Sequence, residues 1–225
     1  MNWLEFPDAA QQTDALANSV AARLAAAIES RGSAALAVSG GKSPIPLFKL
    51  LSEMAIDWAR VTVSLVDERF VAPDHADSNG ALVRQHLLQG RAATARFLPL
   101  VRAVANIDAE VAADNRDFIA PDVAILGMGE DGHTASLFPG APELATGLDP
   151  ANPSPFLAVT PQTAPHRRVS LSYAALLQAG CLILSIQGAK KREVLEAAAA
   201  GPDDALPISH FLAQDKVPLD VYWSA

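Results

Sequence analysis

The sequence predicts one α/β domain over residues 1–225, built on an open, mostly parallel sheet that is flanked by helices. Three observations predict this fold class: short apolar runs typical of buried strands, amphipathic segments typical of helices, and glycine-rich turns after several of the strands. Hydrophobic residues make up 50% of the chain, which is enough for one large core at this length.

Helices and strands alternate in the first half of the chain. Apolar residues at every fourth position predict a long amphipathic helix that ends at Gly32, and this stripe consists of Leu16, Val20, Leu24 and Ile28. The apolar run 34–38 predicts a buried strand. Residues 61–66 alternate and are largely β-branched, which predicts another strand. Asp77 or Ser78 is the expected cap of the helix that follows.

The second half continues the alternation. Strands are predicted at residues 123–126, 169–171, 182–186 and 218–223, the last of them as an edge strand, and helices at 107–119 and 188–200. Prolines interrupt residues 139–165, so this segment is expected to cover a site rather than to form a second domain. The whole pattern predicts a Rossmann-like sheet with its binding site at the carboxyl ends of the strands.

Composition excludes several classes of protein. The net charge of −8 argues against a general nucleic-acid-binding surface. Cys181 is the single cysteine, so the chain can form no internal disulfide and no cysteine metal cluster. The histidines show no metal-ligand spacing. The first residues lack a basic signal-peptide region, and no apolar run reaches transmembrane length. We expect a cytoplasmic protein with no metal, no membrane partner and no nucleic-acid partner.

The most informative segment is the glycine-rich, acidic loop 127–134, which follows the predicted strand 123–126. Its glycines allow a tight turn and the close approach of a ligand. Such loops lie at the carboxyl ends of strands, where open α/β sheets bind ligands. His133 is the residue of this loop that best suits proton transfer near neutral pH. We predict that His133 is catalytic; the alternative is an ordinary surface or hydrogen-bonding histidine.

A second glycine loop follows the strand at 34–38. Ser39, Gly40 and Gly41 precede a helix whose N-terminal N–H groups suit a phosphate. The following Lys and Ser invite comparison with a nucleotide-binding P-loop, but Leu36 stands where that motif requires glycine. We therefore reject an NTPase and predict phosphate binding, with a tight turn that holds no ligand as the alternative.

Charged residues at other strand and helix ends are candidates for substrate recognition. Residues 67–69 follow a strand at the same edge of the sheet, and Arg69 there can hold a phosphate or polarise a carbonyl oxygen. Arg168 precedes a strand. Lys191 begins a helix, where a cation opposes the macrodipole and so suggests a bound anion. The alternative in each case is a solvated cluster of charges.

Together these motifs resemble the 6-phosphogluconolactonase family, in the superfamily that also holds the glucosamine-6-phosphate isomerases. The resemblance is carried by Ser39–Gly40–Gly41, Asp67–Glu68–Arg69, Ser78–Asn79, the segment 127–139, Arg168–Val169–Ser170–Leu171 and Gly188–Ala189–Lys190–Lys191. These residues follow the family's order over nearly the whole chain. Ser170 stands where the family usually has threonine, which keeps the hydroxyl group.

The related glucosamine-6-phosphate deaminases differ from this chain at several of these positions. Their acidic turn usually ends in tyrosine, where this chain has Arg69, and a glutamate follows their histidine by five residues, where this chain has Phe138. These departures favour the lactonase over a deaminase or isomerase. The remaining alternative is a sugar-phosphate sensor without catalysis, but the chain has no spare basic DNA-binding segment.

The resemblance implies hydrolysis of 6-phospho-D-glucono-1,5-lactone to 6-phosphogluconate, the second step of the oxidative pentose phosphate pathway, with no organic cofactor. It implies a small-molecule sugar phosphate lactone as the binding partner. We expect a monomer or a weak homo-oligomer.

The resemblance also suggests a role for each residue. His133 would act as base and then acid, oriented by Asp131 or Glu130. Arg69 would stabilise negative charge on the substrate, and Asp67 would fix Arg69 or a sugar hydroxyl. The residues expected to bind substrate and phosphate are Ser39, Gly40, Gly41, Glu130, Arg168 and Lys191.

Overall fold

The computed structural model describes residues 1–225 and contains two sheets. In chain order the strands are β1 (Asn2–Phe6), β2 (Ala34–Val38), β3 (Val61–Leu65), β4 (Asp67–Arg69), β5 (Arg96–Phe97), β6 (Val123–Leu126), β7 (Phe156–Val159), β8 (Arg168–Leu171), β9 (Leu182–Gln187) and β10 (Leu219–Ser224). The main sheet has the order β1-β10-β9-β6-β2-β3-β5, and all of its strand pairs are parallel. The small sheet, β4-β8-β7, is antiparallel. The predicted α/β fold with a mostly parallel sheet is confirmed.

Eight α-helices connect and flank these strands. They are α1 (Ala9–Arg31), α2 (Ile45–Glu53), α3 (Asn79–His86), α4 (Ile107–Asp117), α5 (Leu144–Leu148), α6 (Tyr173–Leu176), α7 (Ala189–Ala198) and α8 (Ile208–Ala213). The predicted stripe lies on α1, which ends at Gly32. Ser78, rather than Asp77, caps α3, because its side chain accepts a hydrogen bond from the Ala81 N–H. No helix combines the length and the apolar character that crossing a bilayer requires.

One contiguous hydrophobic core of 55 buried residues fills the space between the main sheet and the helices. Every residue of β2 and β6 is buried, as expected for central parallel strands with helices on both faces. The loops that follow these two strands are therefore attached to the buried centre of the sheet.

The prediction of an edge position for the last strand was wrong. β10 lies between β1 and β9, and β1, which the sequence pattern did not reveal, forms the edge. The polar Asp220 of β10 is buried, and partners inside the fold satisfy it. Asp220 is 2.6 Å from Arg23 on α1 and accepts a hydrogen bond from Asn2 on β1. The proline-rich stretch also holds more structure than expected, namely α5 and β7.

Asp114 on α4 is a buried carboxyl group away from the sheet's carboxyl edge. It is 1% exposed, and Arg102 donates to its Oδ1 at 2.7 Å, while its Oδ2 has no hydrogen-bond partner. Burial raises the pKa of Asp114 to about 7, even though Arg102 opposes the shift. The folded state therefore holds a proton on this group over a pH range in which the unfolded chain releases it.

This raised pKa predicts how stability depends on pH. Since the folded pKa lies above the ordinary value, the contribution of Asp114 to the free energy of unfolding falls as the pH rises from about 4 to about 7. Asp114→Asn removes that loss. The difference between the Tm of this variant and the Tm of the unsubstituted protein is expected to increase by about 2 °C or more as the pH rises from about 5 to about 8. The scale follows because 1 kcal/mol corresponds to about 2–4 °C at this size.

Scanning calorimetry at several pH values measures this difference. Asp117→Asn is the matched control, because Asp117 also faces Arg102, at 3.7 Å, but its side chain is exposed. Parallel pH curves for the original chain and Asp114→Asn would contradict the prediction.

Candidate active site

A cleft of about 360 Å³ opens at the carboxyl ends of the central strands, where the sequence predicted it. This volume lies within the range of small-molecule sites. Eight of the predicted site residues line it: Ser39, Gly40, Gly41, Asp67, Arg69, His133, Arg168 and Lys191. The structure thus brings together residues from five separate segments of the chain. Asp131 and Glu130 lie outside the cleft lining.

His133 forms a short hydrogen-bonded pair with Asp131. Its Nδ1 lies 2.5 Å from Asp131 Oδ1, and the same carboxylate oxygen accepts the backbone N–H of His133. The hydrogen bond to His133 lowers the pKa of Asp131, so this group stays ionised. An imidazole that donates from Nδ1 carries its lone pair on Nε2. Asp131, and not Glu130, is therefore the carboxylate that orients His133.

The loop around His133 owes its shape to close backbone packing. A Cβ atom at Gly129 would overlap both the His133 ring and the Asp131 carboxylate, so no larger residue fits there. The Gly129 N–H donates to the His133 carbonyl at 2.9 Å, which closes the loop. On its other side the His133 ring packs against Phe138, with ring centroids 4.2 Å apart. These contacts fix the imidazole in one orientation.

The acidic turn after β3 is not the solvated turn that was one alternative. Asp67 and Glu68 are 7% and 3% exposed, because β4 pairs with β8. Asp67 Oδ2 accepts a hydrogen bond from Ser136 at 2.6 Å. Glu68 accepts from Ser78 and from the N–H groups of the first turn of α3. Burial raises the pKa of Glu68 although these hydrogen bonds oppose the shift. Glu68 thus fixes α3, and Asp67 faces the cleft.

Two arginines lie directly opposite each other on the small sheet. Arg69 on β4 and Arg168 on β8 are register partners, and the Nε of each is buried without a hydrogen-bond partner. Arg69 Nη1 donates to the Asp77 carbonyl at 2.6 Å, and Arg168 Nη2 to the Pro165 carbonyl at 3.1 Å. Burial lowers the pKa of Arg168, and the charge of Arg69 adds to the shift while Asp67 opposes it.

An anion beside both side chains would stabilise this arrangement, because like charges repel across a strand pair and unpaired buried donors cost free energy. The carboxylates of Asp67, Glu68 and Asp77 oppose the lowering of the Arg168 pKa. A bound phosphate or carboxylate oxygen would satisfy both guanidinium groups. The Asp67 carboxylate binds Ser136, and no ion pair joins it to Arg69. The hypothesis that Asp67 fixes Arg69 is therefore not supported by the geometry.

The glycine loop that follows β2, which contains Ser39, Gly40 and Gly41, forms another wall of the cleft. Ser39 Oγ donates to the Ile125 carbonyl at 2.9 Å and accepts from the Gly127 N–H at 3.2 Å, so it ties this loop to the His133 loop. A Cβ atom at Gly40 would overlap the side-chain amide of Asn79, so this close approach also requires glycine. Asn79 in turn donates to the Asp67 carbonyl.

Lys191 completes the cationic lining from the first turn of α7. Burial lowers the pKa of Lys191, and the exposed carboxylate of Glu130 opposes the shift. Its neighbours Lys190 and Arg192 form ion pairs elsewhere, with Glu193 and Glu196. Glu130 does not line the cleft, but its charge favours the protonated form of Lys191.

Sequence reasoning missed several residues that line the cleft, namely Gln12, Thr13, Ser185 and Gln187. It named Asn79 and Phe138 within the family motifs but gave them no role in the site. Gln12 is the clearest case: it is 1% exposed, and its amide nitrogen donates to the carbonyls of Ile186 and Tyr222. It lies one helical turn before Leu16 on the buried stripe of α1, and a polar residue at such a position was the available signal. The structure brings no three His, Cys, Asp or Glu side chains together as metal ligands.

Comparison with known proteins identifies the family of this chain. The model of the family described as glucosamine-6-phosphate isomerases/6-phosphogluconolactonase matches residues 7–223. A 6-phosphogluconolactonase from Pseudomonas putida is 46% identical over 97% of this chain and 91% of its own length. One from Rhizobium meliloti is 46% identical over 97% of both chains. The crystal structure of a 6-phosphogluconolactonase from Shewanella baltica superposes with a TM-score of 0.94 at 40% identity, over 100% of this chain and 98% of the other. The chain belongs to the glucosamine-6-phosphate isomerase/6-phosphogluconolactonase family.

Proposed function

We propose that this chain hydrolyses 6-phospho-D-glucono-1,5-lactone to 6-phospho-D-gluconate, the second step of the oxidative pentose phosphate pathway. The observation that carries the proposal is the Asp131-oriented His133 in one cleft with the opposed pair Arg69 and Arg168. Hydrolysis of a lactone needs a base that takes a proton from water, and binding of a phosphorylated substrate needs cations that hold the phosphate. The close relatives that carry the lactonase name support the same reaction.

The His133–Asp131 pair supplies the proton transfers. His133 Nε2 takes a proton from water while the water oxygen forms a bond to lactone carbon C1. The tetrahedral intermediate then breaks the bond between C1 and the ring oxygen, and the imidazolium returns the proton to that oxygen. Asp131 stabilises the imidazolium and holds the ring so that Nε2 is the basic nitrogen. The products are the freed C5 hydroxyl and a carboxylic acid, which releases its proton to solvent and becomes the carboxylate.

The cations and the glycine loop hold the substrate. We assign the phosphate to Arg168, Lys191, Gly40 and Gly41, and the charge that develops on the carbonyl oxygen to Arg69. Binding energy from the phosphate then positions C1 beside His133, which raises the rate of the chemical step. Asp67 uses Oδ2 for Ser136, so its Oδ1 is the oxygen that accepts a sugar hydroxyl.

We further propose that the enzyme acts in the cytoplasm on this small molecule, as a monomer or a weak homo-oligomer, without a nucleic-acid or membrane partner. The single cysteine is buried and unpaired, which suits a reducing compartment. The net charge of −8 disfavours nucleic acid.

The test is a coupled assay in which glucose-6-phosphate dehydrogenase generates the lactone and 6-phosphogluconate dehydrogenase reports the product. We expect this protein to accelerate hydrolysis by about tenfold or more over the spontaneous rate at micromolar concentration, as even a modest enzyme would. A rate equal to spontaneous hydrolysis would contradict the proposal. Ammonia release from glucosamine 6-phosphate, measured in parallel, would instead indicate the deaminase activity.

A further inference from the structure

We propose that Asp77 and His166 are positioning residues that keep Arg69 and Arg168 aimed at the substrate anion. Their side chains join the two loops whose backbone carbonyls hold the two guanidinium groups. Neither residue lines the cleft. The inference rests on the proposed function only in that it assumes the arginine pair binds the phosphorylated substrate.

The geometry of this contact links positions far apart in the chain. His166 Nε2 lies 3.0 Å from Asp77 Oδ2, across a separation of 89 residues. The same Asp77 supplies the carbonyl that accepts from Arg69 Nη1, at 2.6 Å. The residue before His166, Pro165, supplies the carbonyl that accepts from Arg168 Nη2, at 3.1 Å. One side-chain contact thus fixes both acceptors relative to each other.

The backbone does not supply this link by itself. Beyond the paired strands β4 and β8, the Phe70 N–H still donates to the Arg167 carbonyl, at 2.8 Å. The chain then turns away into the loop that contains Asp77. Because the Nε atoms of both arginines are unpartnered, the carbonyls of Asp77 and Pro165 are the hydrogen-bond acceptors that orient the guanidinium groups. The Phe138 ring, with its centroid 5.7 Å from the Arg168 guanidinium carbon, adds a contact to Arg168 only.

Backbone strain at His166 indicates that its side-chain contacts matter. His166 has φ of +68°, in the left-handed region that residues other than glycine seldom adopt. Such strain persists only where surrounding contacts hold it, and it is concentrated at functional sites. His75 adds to these contacts, since its ring meets the His166 ring edge-on at 5.6 Å and its Nδ1 accepts the Asp77 N–H. The hydrogen bond from His166 lowers the pKa of Asp77, which keeps the acceptor ionised.

Two substitutions at residue 166 separate the contact from the backbone strain. His166→Asn tolerates the left-handed conformation but is too short to reach Asp77. His166→Gln places an amide N–H near the position of Nε2 and can restore the hydrogen bond. His210→Asn is the matched control, because His210 forms a similar exposed pair with Asp204, at 2.9 Å, and does not line the cleft.

For His166→Asn we expect the KM for the lactone and the Kd for inorganic phosphate to rise about three- to tenfold, the scale of one hydrogen bond. The kcat should fall by no more than the same factor, through Arg69, which is assigned to the charge on the carbonyl oxygen, since His133 is untouched. His166→Gln should return KM and Kd toward the original values, and His210→Asn should change neither. Coupled kinetics give KM and kcat, and calorimetry with inorganic phosphate gives Kd.

A KM and a phosphate Kd in His166→Asn that are unchanged from the unsubstituted protein would overturn the inference. Equal increases in KM and phosphate Kd in His166→Asn and His166→Gln would also overturn it. So would a loss of kcat together with a lower Tm, which would indicate a merely structural contact. Failure of the proposed function looks different, because the original protein would then not hydrolyse the lactone at all. Phosphate binding in the variants would still be measurable.

Discussion

Replacement of His133 by alanine is expected to lower kcat for lactone hydrolysis by about 10²–10⁴-fold, the usual contribution of a positioned general base. The KM should change much less, because the cations that hold the phosphate remain in place. The residual rate would come from substrate positioning and from stabilisation of charge by Arg69. Steady-state kinetics in the coupled assay, corrected for spontaneous hydrolysis, measure both parameters.

The same prediction extends to the two carboxylates beside His133. Asp131→Asn keeps an oxygen that can accept from Nδ1, but it removes the charge that stabilises the imidazolium. We expect kcat to fall by about tenfold or more, since orienting groups of this type contribute strongly. Glu130→Gln is the matched comparison, because Glu130 is exposed and makes no hydrogen bond to the ring; its kcat should stay within about twofold.

A His133→Ala protein that retains near-original kcat would contradict the assignment of the base. Circular dichroism and Tm must show that the variant folds, since His133 packs on Phe138. Equal losses of kcat in Asp131→Asn and Glu130→Gln would show that the net charge of the loop, and not the orientation of the His133 ring, sets the rate.

Local sequence patterns were sufficient to predict the central strands and the His133 loop. The run 123–126 matches β6 at both ends, because an uninterrupted apolar run flanked by proline and glycine leaves little freedom in where a strand begins and ends. The loop glycines are also local signals, since Gly129 is required by its own neighbours in sequence. These features need no knowledge of distant parts of the chain.

Features that depend on distant pairing could not be predicted. The burial of Asp67 and Glu68 follows from the pairing of β4 with β8, about a hundred residues later in the chain. The position of β10 depends on which strand covers it, and β1 carries no clear period-two pattern that would have revealed it. The choice between Asp131 and Glu130 required side-chain geometry, because both flank the same turn. Their places at strand ends singled out Arg69 and Arg168, but only the sheet register places them opposite each other.

Removal of the Arg168 side chain is the second change with a large expected effect. Arg168→Ala should lower kcat/KM for 6-phosphogluconolactone by about 10²-fold, because hydrogen bonds to charged groups contribute about 1.5–3 kcal/mol. Arg168→Lys keeps the charge but loses the planar fork and Nε, so we expect an intermediate loss of about tenfold. The effect should appear mainly in KM, since the phosphate does not change charge during the reaction.

A substrate without phosphate shows which group Arg168 binds. If Arg168 holds the phosphate, Arg168→Ala should leave kcat/KM for unphosphorylated glucono-1,5-lactone near the original value. Arg69 is assigned to the carbonyl oxygen, so Arg69→Ala should lower kcat/KM for both lactones. Arg167→Ala is the matched control, because Arg167 is the exposed neighbour of Arg168 and does not line the cleft.

The ratio of the two kcat/KM values is decisive because it cancels any general damage to the protein. A misfolded or shifted site would lower the rates for both lactones in proportion, whereas loss of a phosphate contact lowers only one. Equal losses for both substrates in Arg168→Ala, with an unchanged Tm, would place Arg168 at the reacting carbonyl. Selective loss of the phosphorylated lactone in Arg69→Ala would place Arg69 at the phosphate. Either result would keep both arginines at the substrate, where its oxygens can accept from their unpartnered Nε atoms and offset the repulsion between their like charges.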